Sequence, residues 1–293
     1  MGFIDKITTC SRKADSLVCV GLDTDPHKIP AHLGCSSSGL IHILHFNKMI
    51  INATSDLVCA YKPNAAFYEA MGSSGIDLLE KTCSAIHASH DDIPVILDVK
   101  RGDIGNSAAR YATAAYDIFG ADAVTVNPYM GFDAVRPFLR EDKAVFVLCV
   151  TSNPSAEDFQ FLQMSIENKN NDKKYCALYE HVARKAVSWS KEGEIGLVMG
   201  ATRPEVMRKI RDIVGDMPIL VPGVGAQGGD LESVIAALSP GLTGGSGGSY
   251  GRTIINSSRG ILYASQGHDF AEAARANLVE LRNEINRYRR AID

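Results

Sequence analysis

The segment Leu97-Asp-Val-Lys-Arg-Gly-Asp103 places an acid and an ammonium two residues apart, with a second acid three residues further on. In an extended strand, side chains 98 and 100 leave from the same side. Lys62 ends another apolar run, Ala60-Tyr-Lys62. Lys62, Asp98, Lys100 and Asp103 would then form an alternating network of two cations and two anions whose formal charges cancel. Such a network can hold an ammonium beside a developing negative charge and supply a proton. It can also be a structural ion-pair cluster at a barrel mouth. Burying four charges is costly unless they are well paired, which argues against a mere stability device.

A second group has the character of an anion site. Pro222–Gly229, PGVGAQGG, supplies small residues that let the backbone approach an anion, and Gln227 within it carries a side-chain amide. Ser257-Ser-Arg259 follows the next apolar run and adds a forked cation. The alternative is a plain glycine turn with a surface arginine. Asp23, in GLDTD, could accept a hydrogen bond from a sugar hydroxyl or cap a helix. Thr151 and Ser152 could meet a polar heterocycle or form a turn before Pro154. Eight histidines show no HxH or HExxH spacing and seven cysteines form no CxxC pair, so no metal site is expected.

These residues need strands to position them. Short apolar runs recur at Ser16–Leu22, Leu57–Lys62, Val95–Lys100, Ala123–Asn127, Ala144–Val150, Ile195–Met199, Ile219–Val221 and Thr253–Asn256. Helix-compatible stretches lie between them: Ile41–Ala53, Gly75–His90, Ser107–Phe119, Ala134–Arg140, Lys174–Ser190, Pro204–Val214 and Asp230–Leu238. A last helix is expected over Phe270–Arg290, with Leu278, Leu281, Ile285 and Tyr288 on one face. Alternating strands and helices imply parallel pairing with right-handed crossovers, and eight such units predict a (β/α)8 TIM barrel of the α/β class. The expected organisation is one domain over 1–293, with a polar insertion near 155–173 and a Gly/Ser-rich loop at 243–251. An open doubly wound sheet is the alternative. In a barrel, catalytic residues gather at the C-terminal strand ends, where the polar residues above fall.

With 293 residues, 45% hydrophobic and 22% charged, the composition is that of a globular chain. A net charge of −4 gives no bulk attraction to nucleic acid or anionic membranes. No apolar stretch approaches a membrane helix and the N-terminus has no signal pattern, so a cytoplasmic protein with reduced thiols is expected.

GLDTD, AYKPNAAFYEA, LDVKRGDIGNSA, NPYMGFDAVRPF, LCVTSNPSAEDFQ, MGATRPE, VPGVGAQGGD and INSSRGILYA occur in that order. Together they resemble the orotidine 5′-monophosphate decarboxylase family, in its longer subgroup, from about Asp15 to Ala264. The resemblance implies a cofactor-free, metal-free lyase of pyrimidine nucleotide synthesis that acts as a homodimer. It implies that Lys62, Asp98, Lys100 and Asp103 are the catalytic tetrad, with Lys100 stabilising and protonating the C6 carbanion. Asp103 and Ser107 would serve the partner's site. Asp23 would bind the ribose and Ser152 the pyrimidine. Pro222, Gln227, Ser258 and Arg259 would line the phosphate end. The glycine–serine tract departs from the family pattern.

Three other readings remain open on the residues. One is a related barrel that holds Mg²⁺ and acts on sugar phosphates. A second is a Schiff-base aldolase using Lys62 or Lys100. The third is a nucleotide-binding protein without turnover.

Overall fold

The structure, a computed structural model, describes residues 1–34, 40–167, 173–224, 230–239, 248 and 250–291. Ten strands are present among them: β1 (Val18–Gly21), β2 (Ala60–Lys62), β3 (Ile96–Arg101), β4 (Ala123–Val126), β5 (Ala144–Val150), β6 (Gln163–Glu167), β7 (Lys173–Ala177), β8 (Glu194–Met199), β9 (Ile219–Pro222) and β10 (Thr253–Ser257). Eight of them form one parallel sheet in the order β2-β1-β10-β9-β8-β5-β4-β3. Parallel bridges Tyr61↔Val95 and Asn64↔Asp98 join its two edges, so the sheet closes into a barrel. Closure uses Tyr61 N–H to Pro94 O at 3.0 Å and Asp98 N–H to Pro63 O at 3.0 Å. All eight expected strands are present, with ends shifted by up to three residues.

The helices are α1 (Phe3–Ala14), α2 (Ile41–Thr54), α3 (Ala65–Glu69), α4 (Gly72–Ser89), α5 (Gly105–Thr113), α6 (Phe132–Val135), α7 (Leu178–Trp189), α8 (Pro204–Val214), α9 (Leu231–Leu238), α10 (Arg259–Leu262) and α11 (Phe270–Arg290). The stretch expected as one helix over Ser107–Phe119 is α5 running into a π-helical turn at Ala114–Ile118. The insertion contains a short 3-10 segment, Pro154–Asp158, and an antiparallel pair, β6 with β7. The expected helix over Lys174–Ser190 therefore begins only at Leu178, because 174–177 belong to β7.

Two hydrophobic layers hold the barrel. The outer one joins the strands to the helices and contains most of the buried apolar side chains. The inner one contains Cys19, Ala60, Ile96, Ala123, Phe146, Val198, Leu220 and Ile254, and α1 contributes Phe3 and Ile7 to it. The Phe3 and Phe146 rings meet edge to face at 5.7 Å. Helix α1 thus plugs the end of the barrel opposite the chemistry. Burying a side chain such as Phe3 contributes about 1.5–3 kcal/mol.

The six described cysteines are all buried free thiols, while Cys35 lies outside the described residues. No helix among the described residues is long and apolar enough to cross a membrane. Most of the glycine–serine loop at 243–251 also lies outside the described residues.

Candidate active site

The C-terminal strand ends surround a cavity of about 630 Å³. Asp23, Lys62, Asp98, Lys100, Ser152, Pro222, Ser258 and Arg259 all line it. These residues come from strand ends spread along the sequence from Asp23 to Arg259, yet the barrel brings them to one mouth.

Asp98 is the hub. Its Oδ2 accepts from Lys62 Nζ at 3.1 Å. Its Oδ1 accepts from Lys100 Nζ at 2.5 Å and from the Thr125 hydroxyl at 2.8 Å. Burial alone would raise the carboxyl pKa, but the two ammonium groups and these hydrogen bonds outweigh it and hold the group well below the usual aspartate value. Lys62 shows the converse. Burial disfavours its charge, but Asp98 and Asp23 more than compensate, and its pKa is raised. Both groups are therefore charged at neutral pH.

Simple strand alternation does not account for the meeting of Asp98 and Lys100. Leu97 pairs with Val124 and Arg101 with Val126, so residues 98, 99 and 100 stand opposite Thr125 alone. Strand β3 bulges there, and Lys100 adopts a left-handed φ of 45°. A lysine in this region is strained by on the order of 1–2 kcal/mol. Thr125 Oγ1 accepts from Val99 N–H at 3.0 Å and Lys100 N–H at 2.9 Å. The residue count between strand partners, which decides this geometry, is not visible in the motif.

Asp23 lies beyond β1, with Oδ1 3.7 Å from Lys62 Nζ. Ser258 Oγ donates to its Oδ2 at 2.8 Å. Its Oδ1 is buried, faces the Lys62 ammonium and makes no hydrogen bond among the described residues. The approach of Ser258 requires glycine at position 21, where an added Cβ would come within 1.9 Å of Ser258 Oγ. Tyr263 clamps the same loop: its hydroxyl accepts from Asp25 N–H at 2.7 Å and donates to Asp23 O at 3.3 Å. Burial pushes the Tyr263 pKa up to about 12, so the hydroxyl keeps its proton. Behind the loop, Thr24 donates to Asn47 at 2.6 Å, and Tyr68 donates to Leu22 O at 2.9 Å.

Ser152 packs against Gly200 at the end of β8, where a Cβ would lie 2.7 Å from Ser152 N. Its neighbour Thr151 is engaged by the loop itself, donating to Asn153 at 2.6 Å and accepting from Gln160 Nε2 at 2.8 Å. The Arg259 guanidinium is exposed and makes no ion pair among the described residues. Gln227, expected at the anion end, lies outside the described residues.

Asp103 and Ser107 are not among the cavity-lining residues. Asp103 is half-buried and accepts from Ile104 N–H at 2.8 Å, and it pairs with neither lysine in its own chain. Ser107 is exposed on α5. On the same segment, Ile104 and Tyr111 are exposed large apolar side chains. Sequence reasoning missed Thr125, Tyr263 and Asn47, whose roles depend on contacts between distant segments.

The sequence matches the family model described as Orotidine 5′-phosphate decarboxylase / HUMPS family over residues 16–276. Two similar curated proteins are each called orotidine 5′-phosphate decarboxylase. One, from Azoarcus sp. (strain BH72), is 47% identical across 99% of this chain and 100% of its own length. The other, from Dechloromonas aromatica (strain RCB), is 48% identical with the same coverage. A solved structure of the Leishmania donovani OMP decarboxylase is 37% identical and covers 99% of both chains, with a TM-score of 0.78.

Proposed function

The chain belongs to the orotidine 5′-phosphate decarboxylase / HUMPS family, and from that premise we propose which of its side chains carry the reaction. It is a carboxy-lyase that converts orotidine 5′-monophosphate to uridine 5′-monophosphate and CO₂. The observation that supports the assignment of roles is the Lys62–Asp98–Lys100 chain of contacts at the cavity mouth.

Loss of CO₂ leaves an electron pair on C6 of the pyrimidine, in an orbital that the ring does not delocalise. The Lys100 ammonium, held by Asp98, lies beside C6, stabilises this pair and then transfers its proton to it. Preorganised charge in a site closed to water stabilises such a state far more than bulk solvent does. Asp98 remains ionised and stands near the departing carboxylate. Lys62 balances Asp98 and Asp23 and fixes both. Asp23 accepts a hydrogen bond from a ribose hydroxyl, and Ser152 contacts the pyrimidine. Arg259, with Gln227, the Ser258 amide and the backbone from Pro222, binds the phosphate. Neither metal nor organic cofactor takes part in this scheme.

The working unit is a homodimer in which Asp103 and Ser107 enter the partner's site. The Asp103 carboxylate, which makes no ion pair among the described residues, and the exposed Ile104 and Tyr111 on the same segment support this arrangement. The chain acts as one barrel unit in the cytoplasm and needs neither nucleic acid nor membrane.

The test is a substrate comparison with purified protein. Orotidine 5′-monophosphate is expected to be consumed, with release of CO₂. Consumption of pentulose or hexulose phosphates in Mg²⁺, with the nucleotide untouched, would place the chain in the sugar-phosphate part of the family instead.

A further inference from the structure

We infer that Thr125 is a positioning residue for the proton-donating lysine. The inference rests on the roles proposed above for Asp98 and Lys100. Thr125 sits in β4, 1% exposed, opposite the bulge in β3. A threonine hydroxyl has one proton and two lone pairs. Val99 N–H and Lys100 N–H use both lone pairs, at 3.0 and 2.9 Å. The proton is thereby committed to Asp98 Oδ1 at 2.8 Å, the same oxygen that the Lys100 ammonium meets at 2.5 Å.

One hydroxyl therefore sets two things at once. It satisfies the two main-chain donors that the bulge removes from the β3–β4 ladder, so that Lys100 keeps its left-handed conformation. It also orients the carboxylate that aims the ammonium. Without it, the strained conformation loses its restraint and Asp98 can rotate. Thr125 is not among the residues that line the cavity, so it acts through the Asp98–Lys100 pair and not on the nucleotide.

Thr125→Val keeps the shape and removes the three hydrogen bonds of the hydroxyl, whereas Thr125→Ser keeps them. Thr125→Val is expected to lower kcat about 10- to 100-fold, the scale of losing a hydrogen bond to a charged group. KM and the Kd for uridine 5′-monophosphate should stay within about threefold, because phosphate and ribose contacts are untouched. Exchange of the C6 proton of uridine 5′-monophosphate in D₂O, followed by NMR, should slow in parallel with kcat. Thr125→Ser should recover kcat to within about threefold of wild type. Thr125→Cys, a weak donor and acceptor, carries the same comparison with Thr125→Ser if Thr125→Val melts below the assay temperature.

Wild-type kcat in folded Thr125→Val, or Thr125→Ser as impaired as Thr125→Val, would overturn the inference while leaving the decarboxylase reading intact. An inactive wild-type protein would overturn that reading, and the inference with it.

Discussion

Lys100 Nζ stands 2.5 Å from Asp98 Oδ1 although strand alternation is broken between the two residues. The contact is made by a bulged strand and a left-handed lysine, and it is backed by a second ammonium, Lys62, on the other carboxylate oxygen. The pair is therefore set by the fold.

The first prediction concerns acid. The depressed folded-state pKa of Asp98 contributes stability that is fully present above the unfolded value, about pH 4, and is lost as pH falls towards the folded value. Lys62 has a raised pKa, so its contribution is fully present below about pH 10.5 and is lost only as pH rises through the higher folded value. Asp98→Asn should cost about 3 kcal/mol at pH 7, because it leaves a buried ammonium poorly paired. Urea unfolding should show the gap to wild type narrowing by about 1 kcal/mol at pH 3. An unchanged gap would contradict the depressed pKa.

Arg259→Ala should lower kcat/KM about 100-fold or more and raise KM, the loss of one charge-assisted, forked contact to phosphate. Steady-state kinetics and circular dichroism check this together. A folded variant with near-normal KM would remove Arg259 from the phosphate end. Binding energy from the phosphate can be spent at the reacting carbon, so kcat should fall as well.

Subunit mixing tests the shared site. Asp103→Ala and Lys100→Ala chains should each be inactive alone, yet a refolded equal mixture should recover about one quarter of wild-type activity. Half of the dimers are then hybrids, each with one intact site. No recovery in verified hybrids would place Asp103 in its own chain's chemistry or in none.

Arg211 is a structural counterpart far from the mouth. It is buried and donates to the carbonyls of Gly215, Met217, Leu238 and Arg252 at 2.6–3.1 Å, tying α8 and α9 to the starts of β9 and β10. Burial pulls its pKa down to about 10, which leaves it cationic at neutral pH. Arg211→Met should lose about 3 kcal/mol of stability by stranding these carbonyls, with kcat unchanged within about twofold below the melting range. Thermal melts and kinetics at low temperature separate the two effects.

The eight strands were legible because each is a short apolar run with a polar tip. Those tips carried Asp23, Lys62, Asp98, Ser152 and Arg259 into one cavity, as barrel geometry requires. Helix α1 is not among the expected helices although Phe3, Ile7, Cys10 and Ala14 recur at helical spacing, because a lone helix ahead of the first strand has no place in the strand–helix repeat. The strand character of Lys173–Ala177 was masked by an apolar pattern that continues into α7. Thr125 was unreadable for a different reason. A threonine inside a β-branched strand gives no signal until the register of its neighbour is known. The Asp103 and Ser107 roles rest on a second chain, which no intrachain contact could display.

The most direct test compares wild-type and Lys100→Ala protein in orotidine 5′-monophosphate decarboxylation, each before and after treatment with EDTA. The account predicts wild-type turnover indifferent to EDTA. It predicts a loss of about 10⁴-fold or more in Lys100→Ala, with uridine 5′-monophosphate still bound. Substantial turnover by Lys100→Ala, or wild-type activity abolished by EDTA and restored by Mg²⁺, would contradict it.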